Sequence, residues 1–415
     1  MNSGDTAWML TSVALVLFMT PGLAFFYGGM VRSKNVLGML MQNVFAMGLI
    51  AVIWVLVGFS LAFGNFGDGG LIGGFKYLGF ANVGTVPGLG LTIPFVLFAA
   101  YQMTFAVITP ALITGATADR LKFSAYAVFI AVWMVLVYSP VAHWVFGGGW
   151  LAARGALDFA GGAVVHINAG AAALALVLVL GKRKGWPSEA MHPHSLPLTM
   201  LGTGILWFGW FGFNAGSALA ANGVAAQAAM NTFIAASTAM LGWLLVERLS
   251  DGHATTLGAA SGVVAGLVAI TPCAGFVGTL PAMVIGLVTG IICAKAIGLK
   301  YRFGYDDSLD VVGVHLVGGL LGSILLGLFA DTAVNAAGRD GLFFGGGAGL
   351  LGEQALAAGV TLAFSFVVSL IIAKVIDLTI GLRVDEDVEA EGLDLALHAE
   401  TAYAFGDFGS IGRLG

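Results

Sequence analysis

Long apolar runs recur along almost the whole chain, and they decide what it can fold into. About 20 residues span a bilayer's hydrocarbon. Runs of that length lie near residues 6 to 31, 39 to 64, 93 to 116, 122 to 145, 163 to 181, 196 to 217, 225 to 248, 256 to 275, 278 to 299, 310 to 331 and 353 to 380. In lipid every backbone N–H and C=O needs a partner within the protein, so only helices or closed barrels cross. These runs are too long and too continuously apolar for the ten-residue alternation of a barrel strand. The expectation is an all-α integral membrane protein of eleven transmembrane helices. Charged residues make up only 9% of the chain, against roughly 25% in soluble domains, which leaves no window for a soluble catalytic domain. The chain is expected not to be an enzyme, and neither a cofactor nor a nucleic-acid partner is expected.

Lysine and arginine set the orientation. Alternate connections and the tail hold Arg32, Lys34, Arg120, Lys122, Lys182, Arg183, Lys184, Arg248, Lys295, Lys300, Arg302, Lys374, Arg383 and Arg413, which is fourteen of the seventeen basic residues. The other side holds Lys76, Arg154 and Arg339. The N-terminus is therefore expected outside and the C-terminal tail in the cytoplasm, as an odd number of crossings requires. The start has no basic leader region and its apolar run continues too far for a cleavable signal, so the first span is expected to be retained. Cys273 and Cys293 lie in or beside apolar runs, which supports neither a disulfide framework nor a thiolate metal site. Glycine reaches 63 residues, roughly twice the usual 7%, and small residues let helices approach closely in lipid.

Two segments carry a titratable ring inside oil-like sequence. "GGAVVHINAGAAALALVLVLG" holds His166 and "DVVGVHLVGGLLGSILLGLF" holds His315; both read V-H-[IL]-x-[AG]-G. Each is the fifth span of a set if the chain divides near residue 190. Five is odd, so the second set enters the membrane upside down, the inverted-repeat plan that puts a transport path at the repeat interface. The expected layout is a transmembrane domain over 1-381, with repeat one about 6-182, repeat two about 196-331 and an eleventh helix about 353-380, followed by a tail over 382-415. The repeat predicts that His166 and His315 face each other. One neutral imidazole offers an N–H and the other a lone pair, and a dry path keeps both uncharged.

Other residues gather at the same depth. Asp158 lies eight residues before His166, about 12 Å away if helical; it is expected to cap the fifth span, and the same carboxylate can lend a negative field to the outer mouth, the two roles being compatible. Tyr101 and Phe105 are four apart and share a helix face, as do Phe213 and Ser217. Facing one another, these pairs would bring their rings and a hydroxyl into a small cation cage, each ring contributing about 0.5 to 2 kcal/mol. Carrying a charge to the membrane centre costs roughly 3 kcal/mol on insertion scales and 10 or more in simulations. A cage of rings can thus recruit a cation but not carry it across, whereas loss of the proton removes most of that cost.

His192 and His194 form an H-x-H pair with no third ligand at a recognisable spacing, so a metal site is not expected. Asp306, Asp307 and Asp310 are expected to begin the tenth span as capping carboxylates, with Asp310 also steadying the inner mouth. The stretch from Asn65 to Leu91 reads as a loop. In the tail, "DEDVEAEGLD" puts Asp385, Glu386, Asp387, Glu389, Glu391 and Asp394 within ten residues, and reads either as a solvated, partly disordered end or as a docking segment.

The segments "DFAGGAVVHINAG", "TPGLAFFYGGMVRSKNVL", "GWFGFNAGS" and "VGVHLVGG" strongly resemble those of the ammonium transporter family (Amt, Mep and Rh proteins), and the match runs from about Trp8 to Tyr403. The resemblance implies a homotrimer in the cell membrane, each subunit with its own pore through eleven helices, carrying ammonium or ammonia, with methylammonium as a candidate further substrate. It implies Tyr101, Phe146, Ser217 and Asp158 at the outer recruitment site; Tyr101, Phe105 and Phe213 as aromatic gate; and Trp210 beside His166 and His315 in the pore. It also implies control by a PII-type regulatory protein at the cytoplasmic face, where "TIGLRVDEDVEAEGLD" resembles the family's tail and offers Arg383, Asp385, Glu386 and Asp387.

Two positions depart from the pattern. Tyr101 stands where many relatives have phenylalanine, and Phe146 where many have tryptophan, with Trp144 two residues earlier. Phenylalanine binds cations more weakly than tryptophan, so external affinity is expected to fall unless the Tyr101 hydroxyl compensates. A receptor that binds ammonium without moving it is the alternative function. An electron carrier using His166 and His315 as axial haem ligands is disfavoured, because each span offers one histidine and no second pair exists.

Overall fold

The computed structural model describes residues 1–403, and these are helical with connecting turns. Among them the only extended contacts are two isolated bridges, Pro87 with Pro94 and Leu121 with Arg383. The long helices are α1 (Ser3–Met30), α2 (Val36–Ile53, running on through a π turn at Trp54–Gly58 to Phe63), α3 (Phe95–Thr117) and α4 (Phe123–Trp133, running on through a π turn at Met134–Tyr138 to Val145). They continue with α5 (Asn168–Leu180), α6 (Leu196–Ala215), α7 (Gly223–Ser250), α8 (Thr256–Ile270), α9 (Thr279–Ala296), α10 (Val317–Phe329) and α11 (Gly349–Thr379). Two short helices, α12 (Glu386–Glu391) and α13 (Leu393–His398), follow in the tail.

Ten of these helical stretches are long and apolar enough to cross a membrane. The run expected to cross at 256 to 275 is the exception. Its helix α8 is 15 residues, about 22 Å long, and gives way to turns from residue 271. Large apolar side chains such as Leu17, Phe18, Val52, Leu56, Phe208, Leu241, Ile371 and Val375 are exposed on the outside of the bundle, as a hydrocarbon solvent demands. The chain is a multi-pass membrane protein.

Small residues set the tightest contacts. Helix α1 lies along α6, where a Cβ at Gly202 would sit 2.2 Å from the Phe26 amide nitrogen; no other residue permits that approach. At the end of the bundle rich in basic residues, a buried ion network joins distant parts of the chain. Arg183 forks onto Asp306 through Nε and Nη2, each at 2.9 Å. The fully buried Arg120 donates to Ser308 Oγ at 2.7 Å and to the Gly181 carbonyl at 2.9 Å. Asp119 takes Arg32 at 3.3 Å and Arg183 at 3.4 Å.

The tail is not a solvated end as far as residue 403. Helix α13 docks against α2 and the turn before it, and α12 packs against α13. Asp394 accepts from the Leu37 and Gly38 amides at 3.0 and 2.8 Å, the Asn35 side chain accepts from the Leu393 amide, and Lys34 donates to the Ala390 carbonyl. The rest of the tail, including Arg413, lies outside the described residues.

Candidate functional site

Each histidine sits in a π turn just ahead of a helix. His166 lies in Gly162–Ile167 before α5, and His315 in Val312–Leu316 before α10. A π turn widens the backbone locally and recurs at functional sites. Each turn is held by a carboxylate placed eight residues before its histidine. Asp158 accepts from the amides of Gly161, Gly162, Ala163 and Val164 at 2.6 to 3.2 Å. Asp307 accepts from Val311 and Val312 at 3.1 and 2.7 Å. The glycine four residues after each histidine lets the turns meet: a Cβ at Gly170 would lie 2.6 Å from the Leu316 amide, and one at Gly319 would lie 3.1 Å from His166 Cβ.

The rings therefore come together. His166 Nδ1 and His315 Nδ1 are 3.2 Å apart and the rings lie within 18° of parallel. His166 also stacks on Trp210 at 5.5 Å and 16°, and Trp210 Nε1 is spoken for by Thr271 Oγ1 at 2.9 Å. His166 Nε2 is buried with no hydrogen-bond partner.

Three cavities follow one another through the bundle. The first, about 140 Å³, is lined by Phe66, Gln102, Phe105, Phe146, Phe159 and Ser217 among others. The second, about 10 Å³, is walled by Met19, Leu23, Ile108, Leu206, Trp210, Phe213 and both histidines, and has room for about one small molecule. The third, about 30 Å³, shares Val264 and His315 with the second and ends at Tyr27, Ser261 and Asp310. Between the first and second, Phe105 and Phe213 stack at 4.2 Å and 26°.

Several expected residues take positions that their sequence roles do not suggest. Tyr101 packs on Phe105 at 5.0 Å but is fully buried and does not line the first cavity. Its hydroxyl is 2.9 Å from the Gly212 and Phe213 carbonyls and 3.2 Å from Ser217 Oγ. Asp158 caps the His166 turn through four backbone donors. Asp310 bonds Lys300 Nζ at 2.7 Å rather than capping a helix, whereas Asp307 does cap. His194 is engaged by the Val31 carbonyl at 3.0 Å and the Tyr403 hydroxyl at 2.8 Å. In the tail, Asp385, Glu386 and Asp387 are exposed. Arg383 pairs with Glu389 at 2.6 Å and reaches the Leu180 carbonyl at 3.3 Å. The anchors are the buried Glu389 and Asp394, which nothing in the acidic run sets apart from its exposed members. Gln102, next to Tyr101, lines the first cavity, and nothing in the sequence marks it.

A multi-pass α-helical membrane protein with an internal apolar path, crossed by a buried histidine pair, is what fold and site together define. The Ammonium Transporter Family model matches residues 7–403. An ammonium transporter of Mycobacterium tuberculosis is 54% identical over 97% of this chain and 91% of its own length. One of Bacillus subtilis is 50% identical over 97% of this chain and 99% of its own. The crystal structure of Candida albicans Mep2 superposes with a TM-score of 0.88 at 36% identity, covering 93% of this chain and 87% of that one. A sensor Amt protein superposes with a TM-score of 0.87 at 28% identity, covering 95% and 98%. The chain belongs to the ammonium transporter family.

Proposed function

We propose that this protein takes up ammonium at the first cavity, that the proton is lost there to water at the mouth, and that the neutral base is conducted through the apolar path past His166 and His315. The observation that carries this reading is the pair itself: two imidazoles in Nδ1-to-Nδ1 contact behind a stacked phenylalanine pair, with a cavity beside them too small and too apolar to hold a hydrated ion. A charge gains little there to offset desolvation, whereas a neutral amine needs only the hydrogen bonds the rings offer. In the first cavity Phe105 and Phe146 present ring faces to the cation and Ser217 an oxygen. Phe105 and Phe213 form the gate behind which Trp210 walls the pore. Asp158 acts by fixing the His166 turn.

The remaining features belong to the same proposal. Eleven crossings, with α8 as the short one, place the N-terminus outside and the tail in the cytoplasm. The two five-helix repeats over 6-182 and 196-331 carry the matched aspartate, histidine and glycine. The working unit is a homotrimer in the cell membrane, and a PII-type protein docks where Arg383 and residues 385–387 meet the basic end of the bundle.

An ammonium pulse on proteoliposomes, with current and internal pH recorded together, tests the reading. Saturable flux supports it. Ammonium binding without flux would instead make the protein a sensor, as the likeness to a sensor of the same fold allows.

A further inference from the structure

Not every ring of the first cavity comes from a helix: Phe159 lies in the stretch before the His166 turn, and another ring comes from a distant loop. Phe66 lines the cavity from the connection between α2 and α3, at 47% exposure. Such a ring holds a fixed position only if its loop does, and this loop is tied down at many points. The Gly67 amide donates to the Gly147 carbonyl at 2.9 Å and the Gly69 amide to Gly148 at 3.1 Å. The Trp150 amide donates to Gly70 at 3.1 Å, and Trp144 Nε1 donates to the Leu71 carbonyl at 2.7 Å. These partners all lie on the segment that ends α4 and carries Phe146.

The pin at the centre is His143. Its ring is fully buried, with Nδ1 at 2.9 Å from the Ala62 carbonyl and Nε2 at 3.1 Å from Asp68 Oδ1. Asp68 also accepts from the Gly70 amide at 2.7 Å. Both ring nitrogens are thus engaged, one by the end of α2 and the other by the loop. Ala62, in the last turn of α2, and Asp68, on the loop, flank Phe66 in sequence, while Phe146 lies three residues beyond His143. One histidine thus sets the spacing between a loop ring and a helix ring on the same cavity.

We infer that Phe66 is an additional cation-contacting ring of the outer ammonium site, and that His143 and Asp68 are its positioning residues. The inference rests on the first cavity being where ammonium is held. It also offsets the phenylalanine at position 146, since two weaker rings stand where a single stronger one would otherwise act.

Graded ammonium pulses on the reconstituted full-length protein provide the test. Phe66→Leu is expected to raise the half-saturating concentration about two- to fivefold, the size of one exposed cation–π contact, with maximal flux within about twofold of wild type. Phe66→Trp is expected to restore or lower it. His143→Gln and Asp68→Asn are expected to shift half-saturation in the same direction as Phe66→Leu, and His143→Gln combined with Phe66→Leu to add nothing further. Saturable flux with an unmoved half-saturation in Phe66→Leu overturns the inference and leaves the transport reading intact. If the wild type gives no flux, the transport reading fails, and the same wild-type to Phe66→Leu ratio is then read from equilibrium ammonium binding, where equality again overturns the inference.

Discussion

His166 and His315 meet Nδ1 to Nδ1 across 3.2 Å, so one ring donates and the other accepts, and the pair shares a single proton on that edge. Truncating either ring leaves the other's Nδ1 without its partner in a dry site. Such a loss costs about 1 to 3 kcal/mol, or roughly a tenfold change in a rate for each 1.4 kcal/mol. His166→Ala and His315→Ala are each expected to lower ammonium flux at least about tenfold, or to change what is carried, while the protein stays folded. Wild-type flux and selectivity in both variants would remove the pair from the mechanism.

Tyr101 offers a second test because its hydroxyl is committed to α6. It is bonded by the Gly212 and Phe213 carbonyls and Ser217 Oγ, and Tyr101 does not line the first cavity. Tyr101→Phe is expected to destabilise the protein by about 1 kcal/mol, the net value of one buried hydrogen bond, seen as a fall in Tm. Half-saturation for ammonium is expected to move less than about twofold. A large affinity change at unaltered Tm would return the hydroxyl to the cation site.

Phe146 lines the first cavity and stands 6.4 Å and edge-on from Phe105. Tryptophan presents the strongest ring face to a cation, so Phe146→Trp is expected to lower the half-saturating concentration about two- to fivefold in the same flux measurement. An unchanged value would mean that the cation is not held against this side chain.

The membrane class and the meeting of the histidines were legible in the sequence because both depend on patterns that survive in one dimension: run length for the first, and a repeated V-H-[IL]-x-[AG]-G for the second. The matched carboxylates were half-visible. Asp158 and Asp307 stand at the same distance before their histidines, but Asp307 lies among Asp306 and Asp310, and only geometry separates a cap from an arginine partner and a lysine partner. Phe66 and Gln102 gave no signal, since a ring in a glycine-rich loop and an amide in an apolar helix look alike whether or not they face a cavity. The apolar run at 256 to 275 outlasts α8 because hydropathy continues through Thr271 to Val277 after the helix has ended.

The buried network at the basic end carries a pH signature. Burial pushes the Asp306 carboxyl upward, but the Arg183 fork and the nearby Arg120 outweigh it and hold the group below its usual value of 3.8. A depressed acid contributes stability that is fully present above 3.8 and is lost as pH falls through its folded value. Asp306→Asn is expected to cost about 3 to 5 kcal/mol near neutrality, since it leaves two buried guanidinium groups under-compensated. Its Tm is also expected to depend less on pH below 4 than that of the wild type. Parallel acid profiles for the two proteins would show that the ion pair does not set this stability.

Asp394 ties the tail to the bundle by capping the start of α2, where its carboxylate meets two unpaired backbone donors and the positive end of the helix. Loss of such a cap costs about 1 kcal/mol, which corresponds to roughly a fivefold rise in local opening. Asp394→Ala is therefore expected to speed hydrogen exchange of residues 386–398 about fivefold while leaving α5 and α10 unchanged. If a PII-type protein reads the docked tail, its co-purification is expected with the intact chain, to weaken with Asp394→Ala and to disappear on truncation after Gly381. Equal exchange in wild type and variant would show that Lys34, Asn35 and Glu389 hold the tail without the cap. Equal capture by the truncated chain would place the partner on the bundle itself, because α12 and α13 would then contribute nothing to the surface it binds.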